Sequence, residues 1–170
     1  DENKPDLARR VAAEFERLGF DPWIEASKSK GFHVWTLTER VPAGILRAIG
    51  LHVAAKAGSP DLEVFPKQAQ RAEGGLGSGV WLPLFGADVP KGKTVFLNRA
   101  NGLAPYPEQS EVLNGIVRGA LETVAAAQAE AETTLGKVEQ KKREPVPNSI
   151  PAGQRHDSLA RIAGANRRLG

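Results

Sequence analysis

The chain has 170 residues, of which 41% are hydrophobic and 25% are charged, a composition typical of a soluble globular protein. It contains no Cys, which excludes disulfides and thiolate metal sites and fits a cytoplasmic location. The sequence contains no run of about 18 apolar residues, the length that a membrane-spanning helix needs. It also contains no basic segment followed by an apolar one, the pattern of a secretory signal. Met is absent from the whole sequence, position 1 included, so we expect a piece of a longer protein.

The net charge of +3 is unevenly distributed along the chain. Residues 141–170 carry seven Lys or Arg against two acidic residues, a net +5, whereas residues 1–140 carry 16 basic against 18 acidic residues. A basic tail can bind the phosphates of nucleic acid. It can equally be a solvated charged surface, and the sequence leaves both interpretations open.

Hydrophobic periodicity predicts a mixed α/β fold. Apolar residues recur at helical spacing over about residues 5–19. A second helix begins at Pro42, since proline suits the first helical turn, and stops near residue 58. Short strands are predicted at residues 23–24, 32–38, 62–65, 80–85 and 94–97.

The C-terminal third differs in composition. From about residue 108 an Ala- and Glu-rich segment with a thin apolar stripe predicts one long helix that reaches about residue 142. Prolines then break the chain, and a short helix is predicted at residues 157–169. The predicted organisation is a core at residues 1–110, a long helix at 111–143, a proline-rich linker at 144–152 and the start of a helical domain at 153–170.

The stretch over residues 27–35, Ser-Lys-Ser-Lys-Gly-Phe-His-Val-Trp, places polar groups directly before His33. Serine donates hydrogen bonds, lysine supplies charge and glycine lets the backbone approach a ligand, a combination that suits phosphates. A polar hairpin turn is the simpler interpretation. The nucleotide-binding candidates from this stretch are Ser27, Lys28, Ser29, Lys30, Gly31 and His33.

A second group of candidates follows the predicted second helix. Glu63 lies between apolar residues of a predicted strand, which could hold a carboxylate rigidly for a metal ion, although it could equally face solvent. Lys67 and Arg71 follow it and could contact phosphates or be ordinary surface charge. Gly75 and Gly77 belong to a run with four glycines in six residues. Such a run can form an anion-binding nest or a hairpin loop.

Taken in order, these segments resemble archaeo-eukaryotic-type primase-polymerases of bacteria and phages, in particular the primase domain of TOTE conflict systems. The resemblance spans about residues 5–115 and implies a palm core that resembles an RNA-recognition motif. Residues 150–170 are similar to the opening of the primase C-terminal domain, which often joins such cores to a helicase domain on the same parent chain. The matching blocks of the core are residues 25–35, 41–43, 63–68, 75–77 with 82–86, and 105–109.

The resemblance implies synthesis of nucleic acid strands from nucleoside triphosphates on a DNA template or primer. In this family an Asp-x-Asp pair and a later acidic residue hold two divalent ions, Mg²⁺ or Mn²⁺, and the histidine of a serine-x-histidine motif contacts the triphosphate. His33 would then be the catalytic histidine. Glu63 would be the third metal ligand, and Asp1 would be a remnant of the Asp-x-Asp pair. Lys67 and the glycine run would lie near the nucleotide or template.

The sequence leaves open whether this chain is itself catalytic, because it begins at Asp1, where the Asp-x-Asp pair is expected. The parent protein is expected to be a nucleotidyltransferase. The alternative is a non-catalytic nucleic-acid-binding module that keeps the fold for template or protein contacts. A strand that ends in Asp-x-Asp directly before Asp1 would favour the enzyme.

Overall fold

The structure is a computed structural model that describes residues 4–29, 31–70 and 79–142, and only the helical backbone for 135–142. These ranges contain four α-helices and one four-stranded antiparallel sheet, which confirms the predicted mixed α/β class. The helices are α1 (Lys4–Arg17), α2 (Ala43–Lys56), α3 (Gln109–Gly115) and α4 (Leu121–Lys142). The strands are β1 (Trp23–Ala26), β2 (Phe32–Trp35), β3 (Phe96–Asn98) and β4 (Ala104–Pro105).

The strands lie in the order β2-β1-β3-β4, so β2 forms one edge of the sheet. In the β1–β2 ladder Ile24 lies opposite Val34, and Glu25 lies opposite His33. Because directly opposed residues point to the same face and successive residues alternate, the apolar pair and the polar pair occupy opposite faces of the sheet.

Helix α1 covers the apolar face. Ala8 and Ala12 are buried against Ile24 and Leu97, and their small side chains let the helix approach the strands closely. At the far end of α2, Nε of Arg10 donates to the carbonyl of Ala57 at 3.2 Å and so satisfies an acceptor that the helix leaves unpaired.

A second apolar cluster joins α2 to α4 and contains Phe20, Ile49, Val124 and Ala127. Next to it runs a polar connection between three helices. Nε2 of the buried His52 lies 3.1 Å from Oε1 of Glu130, and the same carboxylate accepts from Arg17 of α1 at 2.6 Å. The hydrogen bond to Arg17 is the main reason that the pKa of Glu130 lies below its usual range.

The predicted long helix is interrupted, because α3 ends at Gly115 and α4 begins at Leu121. Between them the amide of Gly119 donates to the carbonyl of Leu37 at 2.8 Å, and the carbonyl of Gly119 accepts from Glu39 at 3.0 Å. A Cβ atom at residue 119 would lie 2.8 Å from Cδ1 of Phe20. The backbone at this position pairs with the segment after β2, so it cannot also continue a helix.

Two predicted strands are wrong. Residues 62–65 and 80–85 belong to no strand and have no ladder partner in the described ranges. Val64 instead packs on α2 at Gly50, and Trp81 packs on Phe85, so their apolar spacing gives the same sequence signal as a strand. The strand predicted at residues 32–38 ends at Trp35, and the one predicted at 94–97 is β3.

The compact unit that contains the sheet runs from Asp1 to Lys137, and a second unit covers Val138–Gly170. The predicted linker at residues 144–152 and the helix within 153–170 lie outside the described residues. No helix in the described part of the chain combines the length and apolarity that a membrane crossing needs.

Candidate functional site

The polar face of the β1–β2 hairpin carries a histidine–carboxylate pair. Nδ1 of His33 lies 3.0 Å from Oε2 of Glu25, and the indole Nε1 of Trp35 donates to the same oxygen. A carboxylate only accepts hydrogen bonds, so His33 carries a proton on Nδ1. Its other nitrogen, Nε2, is then the atom that can contact a ligand.

This pairing changes the proton affinity of His33. The hydrogen bond to Glu25 raises the pKa of His33 above its usual value, and the negative charges of Glu25 and Glu63 raise it further, while partial burial opposes the shift. The imidazolium therefore persists to higher pH than in a free histidine. A cation held at this position suits an anionic ligand.

Glu25 is the functional residue that the sequence interpretation missed. It is fully buried, and its Oε1 has no hydrogen-bond partner in the described part of the chain. The available signal was a charged residue inside the strand Trp-Ile-Glu-Ala, since a buried carboxylate is rare unless it is paired. Identifying its partner required the hairpin register.

The predicted residues 27–29 and 31 belong to the turn that joins β1 to β2, and whether they also bind phosphates stays a prediction. The amide of Ser27 donates to the carbonyl of Gly31 at 2.9 Å, and the hydroxyl of Ser27 accepts from the amide of Gly31 at 3.0 Å. Lys28 points to another group of residues: its Nζ lies 3.8 Å from the ring centroid of Trp81. The turn thus fixes the register that brings His33 to Glu25.

Several predicted residues line one cavity of about 720 Å³, a volume within the usual range for small-molecule sites. The polar lining includes Ser27, Ser29, His33 and Glu63, together with Gly31. The apolar lining comes from both helices and from the segment after α2, with residues Leu7, Val11, Leu46, Ile49, Val53 and Val64. The structure therefore brings the hairpin candidates and Glu63 to the same cavity.

Glu63 is held differently from the prediction. It forms an ion pair with Lys67, and 65% of its side chain is exposed. Its position depends on the neighbouring Val64, which packs against α2 at Gly50, where a Cβ atom would lie 2.5 Å from Cγ1 of Val64. Helix packing, rather than a strand ladder, therefore positions this carboxylate. Glu63 and Lys67 also line a smaller adjacent cavity of about 360 Å³.

The carboxylates in the described ranges do not by themselves form a metal site. No group of three or more His, Asp or Glu side chains there is arranged to hold an ion, and Glu63 is already paired with Lys67. The remaining candidates, Asp1, Lys30, Arg71, Gly75 and Gly77, lie outside the described residues.

A sequence model of one protein family, described as the TOTE conflict system archaeo-eukaryotic primase domain, matches residues 1–127. The chain belongs to this family. The match confirms the resemblance inferred from the ordered sequence blocks, and it includes every site residue named above. No curated protein sequence matches the chain.

Membership in the archaeo-eukaryotic primase family makes the chain a domain of primase/polymerase type, a class of nucleotidyltransferases whose substrates are nucleotides and nucleic acid. Proteins of this family typically use divalent metal ions. The matched region ends at residue 127, so the similarity of residues 150–170 to a primase C-terminal domain stays a prediction.

Proposed function

We propose that this primase domain binds the triphosphate of a nucleoside triphosphate in the cavity beside β2, for transfer of a nucleotide to a DNA primer or template-bound strand. The observation that carries the proposal is the His33–Glu25 pair, because Glu25 occupies Nδ1 of a histidine that lines the cavity and leaves Nε2 for a ligand. An imidazolium and two serine hydroxyls around one cavity supply donors to phosphate oxygens.

The protein groups divide the work of binding. Glu25 accepts from Nδ1–H, which fixes the ring orientation, and it raises the pKa of His33, which favours the imidazolium. Ser29 and the backbone near Gly31 lie on the same cavity wall. Apolar residues of α1 and α2 line the same cavity, where they can exclude water from bound phosphates.

Divalent ions, Mg²⁺ or Mn²⁺, would supply activation of the attacking hydroxyl and neutralisation of the leaving pyrophosphate. The described residues offer Glu63 as a carboxylate for this role. Because it is paired with Lys67, the described residues alone do not fit a two-ion centre. A helicase domain on the same parent chain remains part of the proposal that rests on residues 150–170.

Isothermal titration calorimetry of the 170-residue chain with dATP tests the proposed site. His33→Ala should weaken dATP binding by roughly tenfold or more, because a hydrogen bond to a charged group is typically worth about 1.5–3 kcal/mol. His156→Ala, the same substitution outside the matched residues 1–127, is the control. Equal dATP affinity in His33→Ala and wild type would remove His33 from the site.

The second candidate function is a nucleic-acid-binding module without catalysis. It is favoured by the ion pair between Glu63 and Lys67, because Lys67 neutralises the charge of Glu63, the candidate metal ligand among the described residues. Glu63→Gln distinguishes the two functions. In a catalytic protein it should reduce the enhancement of dATP binding by Mn²⁺, whereas in a binding module Mn²⁺ should have the same effect on dATP binding in both variants.

A further inference from the structure

An aromatic patch lies exposed beside the hairpin turn, outside the cavity described above. Trp81 is 53% exposed and Phe85 is 44% exposed, and their ring centroids are 5.4 Å apart in an edge-to-face arrangement. Neighbouring Leu82 is 67% exposed. Large side chains of this kind clustered on a surface usually mark a binding site.

One lysine lies over the rings of this patch, and it connects them to an aspartate. Nζ of Lys28 lies 3.8 Å from the Trp81 centroid and 5.4 Å from the Phe85 centroid. The same Nζ lies 3.9 Å from Oδ2 of the buried Asp88, and Nζ of Lys91 lies 3.0 Å from Oδ1 of that residue. The hydrogen bond from Lys91 is the main cause of a lowered pKa at Asp88, and the charges of Lys28 and Lys93 contribute. Three lysines therefore act on one aspartate, which leaves a net positive charge at Asp88, next to Lys28 of the patch.

The segment that carries the patch is held by backbone hydrogen bonds. The amide of Leu84 donates to the carbonyl of Thr94 at 2.6 Å, and the amide of Phe85 donates to the Thr94 hydroxyl at 3.1 Å. Thr94 itself is fully buried. The position of Phe85 is therefore set before any ligand arrives, which reduces the entropic cost of binding.

The patch adjoins the proposed nucleotide cavity. Lys28 stands in the hairpin turn between Ser27 and Ser29, both of which line that cavity. Val80, directly before Trp81, lines it as well. A ligand on the patch could thus continue toward the cavity along the hairpin turn.

We propose that Trp81, Phe85 and Lys28 form a site for single-stranded nucleic acid, in which bases stack on the aromatic rings and Lys28, Lys91 and Lys93 contact the phosphates. Exposed aromatic rings interleaved with cations are the combination that such strands require, since every base has a face that can stack. Protein interfaces are depleted in lysine, so Lys28 over the rings, with Lys91 and Lys93 near its partner Asp88, favours a nucleic acid over a protein partner. The site deepens the proposed function by naming where the strand binds.

Fluorescence anisotropy with a labelled oligothymidine tests the site in the full 170-residue chain. We expect Trp81→Ala to weaken binding by about tenfold and Trp81→Phe to restore most of the affinity, because a phenyl ring still stacks. Lys28→Gln should reduce the slope of log affinity against log salt by about one unit. Leu113→Ala, an exposed apolar residue in α3, is the control, and the basic tail contributes equally to every variant.

Intrinsic fluorescence gives a second readout, which uses Trp81→Phe and so does not depend on how far the loss of the whole ring in Trp81→Ala disturbs the fold. Oligothymidine should quench tryptophan emission in wild type, and Trp81→Phe should abolish that quenching although Trp23 and Trp35 remain. Quenching that persists in Trp81→Phe, or unchanged affinity in Trp81→Ala, would overturn the site. Equal competition by a duplex of the same length would overturn it too, because paired bases cannot stack on the patch.

The two proposals fail separately. Trp81→Ala should weaken oligothymidine binding far more than dATP binding, and His33→Ala should weaken dATP binding far more than oligothymidine binding. If His33→Ala fails to alter dATP binding while Trp81→Ala still weakens strand binding, the nucleotide site is wrong and the strand site stands.

Discussion

Nδ1 of His33 lies 3.0 Å from Oε2 of Glu25, across a ladder in which the two residues are directly opposed. One side chain is fully buried, and the other is 38% exposed at the cavity. In the proposed nucleotide site, a buried carboxylate would therefore act on the ligand through the exposed imidazole. This arrangement makes Glu25 a positioning residue whose effect can be measured on His33.

Glu25→Gln should lower the pKa of His33 toward its usual value of 6.5, because the largest cause of the raised pKa is the hydrogen bond to Glu25. The loss of positive charge should weaken dATP binding most at pH values above 6.5. Proton NMR titration of the His33 ring measures the pKa directly. An unchanged His33 titration in Glu25→Gln would contradict this role for the carboxylate.

The same shift predicts how thermal stability depends on pH. Because the pKa of His33 is raised in the folded state, its contribution to stability is fully present below about pH 6.5, the unfolded value, and is lost as pH rises through the raised pKa. The difference in Tm between wild type and His33→Gln should therefore shrink as pH increases above 6.5. Differential scanning calorimetry between pH 5 and 9 checks the sign, and a difference that grows with pH would contradict it.

Gly50→Ala should displace the segment that carries Glu63. The new Cβ would lie 2.5 Å from Cγ1 of Val64, so the segment must move away from α2, at a cost of about 1–3 kcal/mol. Gly44→Ala is a matched control in the same helix, since its Cβ would meet Cβ of Ala69 at an ordinary 3.4 Å. The control should gain up to about 1 kcal/mol from the higher helix propensity of alanine. Urea denaturation measures both, and equal free energies of unfolding would refute the close contact.

Glu130→Ala should lower the thermal midpoint by several degrees, because it leaves the buried His52 without its partner for Nε2. Nδ1 of His52 already has no hydrogen-bond partner among the described residues, so the ring would lose the one side-chain hydrogen bond that it forms with them. Glu132→Ala is the control, since Glu132 accepts from the exposed Gln128 on the same helix. A Tm equal to that of the control would show that the connection between α1, α2 and α4 contributes nothing.

The parts of the fold with a clear period could be predicted from the sequence. The apolar stripe of α1 and the stripe after Pro42 predict both helices to within a few residues. The alternation around His33 places it correctly on the same face as Trp35. These signals are local, and a local pattern is enough to determine them.

The features of the fold that the sequence did not predict depend on contacts between residues far apart in the chain. The helix break at Gly119 exists because this residue pairs with Leu37, some eighty positions earlier. The extended segment around Val64 resembles a strand in its alternation, but it packs on Gly50 instead of pairing in the sheet. Glu25 could not be assigned to His33 without the turn length, which sets the register.

The pairing of Gly119 with Leu37 and Glu39 has a practical consequence for shortening the protein. Leu37 follows the strand that carries His33 by two residues, so the junction before α4 supports the end of that strand. Val124 and Ala127 then complete the apolar cluster around Phe20. A truncation designed to keep the cavity intact therefore has to end beyond Ala127, even though no residue that lines the cavity lies beyond Val80.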